Sequence, residues 1–178
     1  MAFDYDTIRD MIETRWKRYG YDALLPEERD YVLVWWLQAE ASNGSLHQYF
    51  YNSTGDAAFE TLDALHRINA PNAASVLSDS IATVSDGDYP TDRLKRQAAL
   101  NAMPDSYHTF GTLTDRLFEE SEDVTSLAID RVGDAYTREN ITAAEPSASK
   151  PMRAIAAAVL LVVGVLATIA IVALLIAS

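Results

Sequence analysis

Apolar residues recur every three or four positions through most of the chain and become continuous near its C-terminal end. The first periodic segment covers residues 7–19 and stops at Gly20. Pro26, followed by two acids, is typical of a helix start. The helix that it opens carries apolar residues on all sides over residues 31–37, which predicts that it is buried. We expect Asn43-Gly44 to end it as a C-cap.

Further helices are predicted after this buried one. Residues 46–51 form a short segment, Asp56 is a candidate N-cap for the next helix, and Pro71 opens another. Three weaker helical segments follow, at residues 92–102, 106–120 and 123–138. No alternating strand pattern is found. The sequence therefore predicts an all-α domain of about seven helices over residues 1–141.

The C-terminal run of apolar residues predicts a membrane anchor. It begins at Ile155 and ends at Ala177 without a charge, and spanning a bilayer takes about 20 apolar residues. We therefore expect a single transmembrane helix within residues 153–178, preceded by a flexible linker over residues 142–152. Lys150 and Arg153 precede the run, so the N-terminal domain is expected on the cytoplasmic side.

Removal of this tail for lipid anchoring is the alternative, and it requires entry into the secretory system. The first residues are acidic and carry no apolar segment, so we expect no signal peptide. The absence of cysteine is consistent with a reducing compartment.

The charge of the chain lies almost entirely before the tail. Lys150 and Arg153 account for two of the 14 bases, so the preceding residues carry 12 bases against 26 acids, a net charge of −14. An excess of this size disfavours nucleic acid and anionic lipid as ligands and favours a basic partner protein. General solubility or a salty cytoplasm would also account for the acidity.

The densest local motif runs from Glu40 to Asp56 and mixes amides, aromatic residues and two glycines. One hypothesis is that Glu40, His47 and Gln48 line a site. The other, which we favour, is that the amides bond the backbone at turns and the aromatic rings pack under the buried helix. The residues of this motif that either hypothesis must explain are Glu40, Asn43, Gly44, Gln48, Tyr49, Phe50, Asn52, Ser53, Gly55 and Asp56.

These ten residues resemble the signature of the bacterial DNA-mimic protein 19 domain family. Ser45 stands where the family pattern has a second glycine, and the following stretch 64–70 is similar to the next family helix. The resemblance implies an all-α domain. It also implies, from one characterised type, an acidic dimer that imitates DNA and engages a transcription factor and a histone-like protein. The added transmembrane helix is no part of the family pattern.

Mimicry of DNA requires carboxylates in rows along helices, and several acids have suitable spacing. Asp115, Glu119 and Glu122 share a face if their helix continues that far, and Asp123, Asp130 and Asp134 have a similar spacing. A solvated helix face is the alternative for both rows. The candidate binding surface comprises Asp79, Asp86, Asp88, Asp92, Asp115, Glu119, Glu122, Asp123, Asp130 and Asp134.

Enzymatic hypotheses have weaker support. The chain has no phosphate loop and no cysteine nucleophile. A metal-dependent hydrolase that uses His47, His66, Glu40 and Asp63 is a further alternative, but such His and carboxylate pairs are common on ordinary helices. We therefore expect a binding protein rather than an enzyme, with no catalytic residue, metal or cofactor. An immunity or adaptor protein is the alternative function. In the C-terminal tail, Gly164 and Thr168 are spaced as in a small-residue helix contact, which would allow two copies to dimerise.

Overall fold

The computed structural model describes residues 4–85 and 88–141. Seven α-helices and two short 3-10 turns, with no strand, form this part of the chain. The helices are α1 (Tyr5–Tyr19), α2 (Pro26–Tyr51), α3 (Ala58–Arg67), α4 (Pro71–Ser85), α5 (Arg93–Ala102), α6 (Ser106–Glu119) and α7 (Val124–Arg138). The all-α prediction and the expected number of helices are confirmed.

Helix α2 is the centre of the fold. It packs against α3, α5, α6 and α7, while α1 lies against α7, and α4 joins α3 to α6. Val34, Leu37, Leu46 and Phe50 of α2 are completely buried. Burial of apolar surface stabilises by about 25 cal/mol per Å², so this central helix contributes much of the stability of the domain.

The predicted end of the buried helix at Asn43-Gly44 is wrong in one respect. The chain kinks at Gly44 (φ −165°, ψ 31°) and Ser45 (φ 68°, ψ 175°) but then resumes as helix to Tyr51. A glycine can initiate such a break, but the Leu46 N–H donates to Thr114 Oγ1 of α6 across it (2.8 Å). Thr114 therefore accepts the N–H group that the break leaves without a helical acceptor, and the helix continues beyond the kink.

Two further local predictions need correction. The apolar run of α2 is not buried on every side, because Trp35 is 42% exposed. Asp56 does not cap α3, since Ala57 precedes that helix and Asp56 lies within the 3-10 turn Ser53–Ala57. The Asp56 carboxylate instead accepts a hydrogen bond from Arg96.

Helix α1 is held to the rest of the domain by a buried ion pair. Arg15 Nε lies 3.0 Å from Glu28 Oε1, and both side chains are buried. The Tyr136 hydroxyl donates to the same oxygen, and the Leu25 N–H donates to Glu28 Oε2. Burial raises the pKa of Glu28, while these donors and Arg15 favour its ionised form. The cluster of Arg15, Glu28 and Tyr136 therefore joins α1, α2 and α7.

A second buried carboxylate, Asp30, accepts a forked set of hydrogen bonds from Arg67 of α3, the shortest at 2.6 Å. Arg131 of α7 lies 3.8 Å away on the other side. Fork geometry of this kind is the strongest form of a charged hydrogen bond. The Asp30–Arg67 pair thus links α2 to α3, and the contact with Arg131 joins α7 to the same carboxylate.

Several predictions concern residues outside the described part of the chain. These are the linker 142–152, the anchor 153–178 with its apolar run 155–177, and Asp86. Among the helices that the structure describes, none combines the length and apolarity needed to cross a bilayer. The transmembrane helix stays a prediction.

Candidate functional site

The signature region is organised around Arg96, a residue of α5 that the sequence did not single out. Its side chain has no exposed surface. Nε donates to the Phe50 carbonyl at 2.5 Å, and Nη2 donates to the Asn52 carbonyl at 2.9 Å and to Asp56 Oδ1 at 2.5 Å. Nη1 donates to two carbonyls of the preceding loop, those of Pro90 and Thr91. The guanidinium thus binds the end of α2 to the start of α5.

Gly55 is required by the same arrangement. A Cβ at this position would lie 2.8 Å from Arg96 Nε and 3.0 Å from Phe50 Cα. The Gly55 carbonyl accepts a hydrogen bond from the Tyr89 hydroxyl at 2.7 Å, and burial raises the pKa of Tyr89. A side chain would therefore push the guanidinium away from the carbonyls that it binds.

Glu40 closes the other side of the signature region. Its Oε2 accepts from Gln48 Nε2 at 2.7 Å and from Asn52 Nδ2 at 2.9 Å. The Gln48 side chain lies against Gly44, where a Cβ would stand 2.0 Å from Gln48 Oε1. Glu40 therefore bridges the two halves of the kinked helix.

The remaining signature residues are placed within the same packing. The Tyr49 hydroxyl donates to Thr61 Oγ1 of α3 at 3.0 Å, and burial raises the pKa of this tyrosine. Tyr49 thus connects the signature region to α3. Asn43 is exposed just before the kink, and Ser53 begins the 3-10 turn.

His47 lies in a stack of aromatic rings rather than in a polar cluster. Its ring centroid is 4.0 Å from that of Tyr107 and 5.8 Å from that of Tyr51. Burial lowers the pKa of His47. His66 is exposed on α3. Within residues 4–85 and 88–141, no three His, Cys, Asp or Glu side chains are placed to hold a metal ion.

Four of the candidate surface acids have local structural contacts. Asp79 pairs with Arg116 at 3.1 Å, and Asp92 accepts from the Lys95 N–H as the N-cap of α5. Asp123 accepts from the Ser126 N–H as the N-cap of α7, which lowers its pKa. Glu122 accepts from the Asn72 and Ala73 N–H groups at the start of α4. Burial opposes ionisation of Glu122, but these bonds leave its pKa lowered.

These contacts change the two predicted rows. Helix α6 ends at Glu119, so Glu122 lies beyond it, and Asp123 precedes the first residue of α7. The pairs that remain in register are Asp115 with Glu119 and Asp130 with Asp134. All four are exposed, and in the part of the chain that the structure describes none has a cationic group within 4.0 Å. Asp88 is also exposed, in the loop before α5.

Sequence reasoning missed the buried cations. Arg96 and Leu100 stand one turn apart on the buried side of α5, and Arg15 lies on the same side of α1 as Ile8 and Ile12. An arginine at an apolar position of a helical pattern was the only available signal. It does not say which carbonyls or carboxylates the cation meets.

Fold and site together define a class of protein: an all-α domain with buried arginine clusters and an acidic surface. The family model described as DMP19-like protein matches residues 22–140, about two thirds of the chain. The chain therefore belongs to the DMP19-like family, and the resemblance noted from residues 40–56 is confirmed. No curated protein and no solved structure matches the chain significantly.

Proposed function

We propose that this protein is a binding protein whose acidic surface captures a basic partner protein, with DNA-binding proteins as the favoured class. The observation that carries the proposal is the set of exposed, unpaired carboxylates on α6 and α7. Asp115, Glu119, Asp130 and Asp134 have the one-turn spacing that lines charges along a helix. Membership of a family named for DNA mimicry supports the same class of partner.

Few charged side chains are buried in the described part of the domain, and they include both acids and bases. Among the described residues, the buried charged groups are three acids, Glu28, Asp30 and Glu40, and two arginines, Arg15 and Arg96. The buried acids and arginines thus nearly cancel, so among the described residues most of the acidic excess is not buried. The electric field of this negative charge speeds encounter with a cationic partner, and it weakens as salt is added.

Tethering to a membrane is part of the proposal. The uncharged run 155–177 is long enough to span a bilayer, and Lys150 and Arg153 favour a cytoplasmic position for the domain. A partner bound at this surface would then be held at the membrane. Fractionation of cells, followed by protease treatment of sealed vesicles, tests the anchor and its orientation.

The binding proposal is tested with the full chain in nonionic detergent, immobilised and exposed to a cell lysate at low and high salt. We expect basic proteins to be retained at low salt, released at high salt and displaced by added duplex DNA. A variant that neutralises the four carboxylates is expected to lose this retention. The matched control neutralises four exposed acids elsewhere, Asp6, Asp10, Glu60 and Asp63.

Two outcomes would contradict the proposal. Equal retention by the test variant and the control would show that the α6 and α7 carboxylates have no special role. Capture of a partner that is neither basic nor sensitive to salt would instead support an immunity or adaptor protein, in which the acidity is incidental.

A further inference from the structure

One side of α6, next to its buried face, carries two exposed aromatic rings. Tyr107 is 73% exposed and Phe118 is 48% exposed. They are about three helical turns apart, so they lie on nearly the same side of the helix, separated by roughly 16 Å along its axis. The buried side of α6, formed by Phe110, Leu113 and Leu117, lies about a quarter turn around the helix from these rings. Two large exposed rings on the same side of one helix offer two apolar contact points to a partner.

Tyr107 is held in place although it is exposed. Its ring stacks on His47 at 4.0 Å with an interplanar angle of 25°, and His47 in turn stacks on Tyr51. A ring fixed in this way loses little conformational freedom when a partner covers it. Aromatic anchors of this kind contribute most of the energy at protein interfaces.

The charges on this face specify the occupant. Asp115 is exposed one turn before Phe118, and Glu119 is exposed one turn after Asp115. The nearest cation on α6, Arg116, is already paired with Asp79 and Glu120. A second copy of the chain would add two more carboxylates and no unpaired α6 cation to the same interface, and concentrating like charges there is unfavourable. A cationic partner neutralises them.

We propose that the exposed side of α6 from Tyr107 and Phe118 to Asp115 and Glu119 is the docking surface for a cationic segment of the partner. Apolar side chains of that segment cover the two rings, and its Lys or Arg side chains pair with Asp115 and Glu119. The inference rests on the proposed function and deepens it, because binding then depends on two apolar contacts as well as on charge. A pure charge mimic would need no exposed rings.

The probes are two lysine-rich helical peptides of equal length and charge. One carries two leucines about three turns apart, matching the spacing of the rings, and the other has alanines there. Binding to the full chain in nonionic detergent is measured by fluorescence anisotropy at low and high salt, with empty micelles as the blank. We expect the leucine peptide to bind at least tenfold more tightly and to keep this advantage at high salt.

Three variants locate the binding. Replacement of both rings, by Tyr107→Gln with Phe118→Gln, is expected to reduce the affinity for the leucine peptide to that for the alanine peptide. Asp115→Asn with Glu119→Gln is expected to weaken both peptides and to flatten their dependence on salt. Leu94→Gln, on an exposed residue of α5, is the matched control and should change neither affinity.

The outcomes separate this inference from the proposed function. If both peptides bind the parent equally and release with salt, the docking surface is wrong and capture by charge stands. If neither peptide binds at low salt, both are overturned. If sedimentation velocity shows a dimer that only the double-ring variant loses, the face is an interface between two copies, and the inference is overturned.

Discussion

Arg96 and Asp56 form an ion pair in which the cation is completely buried and the carboxylate faces solvent. Nη2 lies 2.5 Å from Oδ1, while the Asp56 side chain remains 41% exposed. The remaining guanidinium bonds go to backbone carbonyls at the end of α2 and in the loop before α5. The positive charge is thus buried among oxygen acceptors, and it links the end of α2 to α5.

Loss of this cation is expected to destabilise the domain strongly. Arg96→Met removes the donors of several carbonyls, among them the buried Phe50 carbonyl, and a buried acceptor left without a donor costs about 1–3 kcal/mol. Urea denaturation of the full chain in detergent, followed by circular dichroism, measures the change. Lys95→Met, at an exposed neighbour on the same helix, should alter the free energy of unfolding little. Similar effects of the two substitutions would contradict the role of Arg96.

Gly55 and Gly111 are expected to respond to alanine in opposite directions. At Gly55 the new methyl meets the Arg96 side chain and the Phe50 backbone, and overpacking of this kind costs about 1–3 kcal/mol. At Gly111, within α6, no atom lies within 4 Å of an added Cβ. Alanine there should stabilise by about 0.5–1 kcal/mol, because glycine weakens a helix interior. Equal unfolding midpoints for the two variants would refute this explanation.

Ser45→Gly is expected to stabilise the protein. Ser45 has φ 68° and ψ 175°, a conformation that is essentially restricted to glycine and costs other residues about 1–3 kcal/mol. The gain is reduced by the greater freedom of glycine in the unfolded chain and by loss of the contact from the His47 N–H to Ser45 Oγ. A net gain of about 1 kcal/mol is expected. Ser42→Gly, in the helix before the kink, should destabilise, and a loss at both positions would show that Ser45 is not strained.

His47 is expected to make stability depend on pH. Burial lowers its pKa, so the folded state binds a proton less readily than the unfolded chain. Its contribution is therefore complete above the unfolded pKa of about 6.5 and is lost as the pH falls through that value toward the folded pKa. His47→Phe should reduce the loss of stability on acidification, measured as urea midpoints at neutral and mildly acidic pH. His66→Gln, at an exposed position, is the control, and a pH dependence unchanged by His47→Phe would exclude His47 as its source.

The helices were largely predictable because each has its own periodic pattern and punctuation. The pattern at residues 7–19 became Tyr5–Tyr19, and Pro71 opens α4 as expected. The kink in α2 was less predictable. A break at Gly44 was indicated, but whether the chain turned away or resumed its helix depended on Thr114, which is distant in the sequence.

The candidate site could be predicted only in part. The motif from Glu40 to Asp56 identified the family, yet its organising residue, Arg96, lies outside it. The acidic rows were drawn from spacing alone. Spacing does not reveal that Glu122 and Asp123 receive backbone N–H groups at helix starts, because those contacts depend on where α4 and α7 begin.

The sequence by itself determined the all-α class, the strong negative charge and the family, because periodicity, composition and a contiguous motif are local properties of the chain. Only the tertiary structure decided which charges are used inside the fold and which remain free on its surface. Burial of Arg15 and Arg96, and exposure of Tyr107 and Asp115, depend on which helices lie against one another. The free energy of a charge or ring depends on its neighbours and solvent, and these are settled when the helices pack.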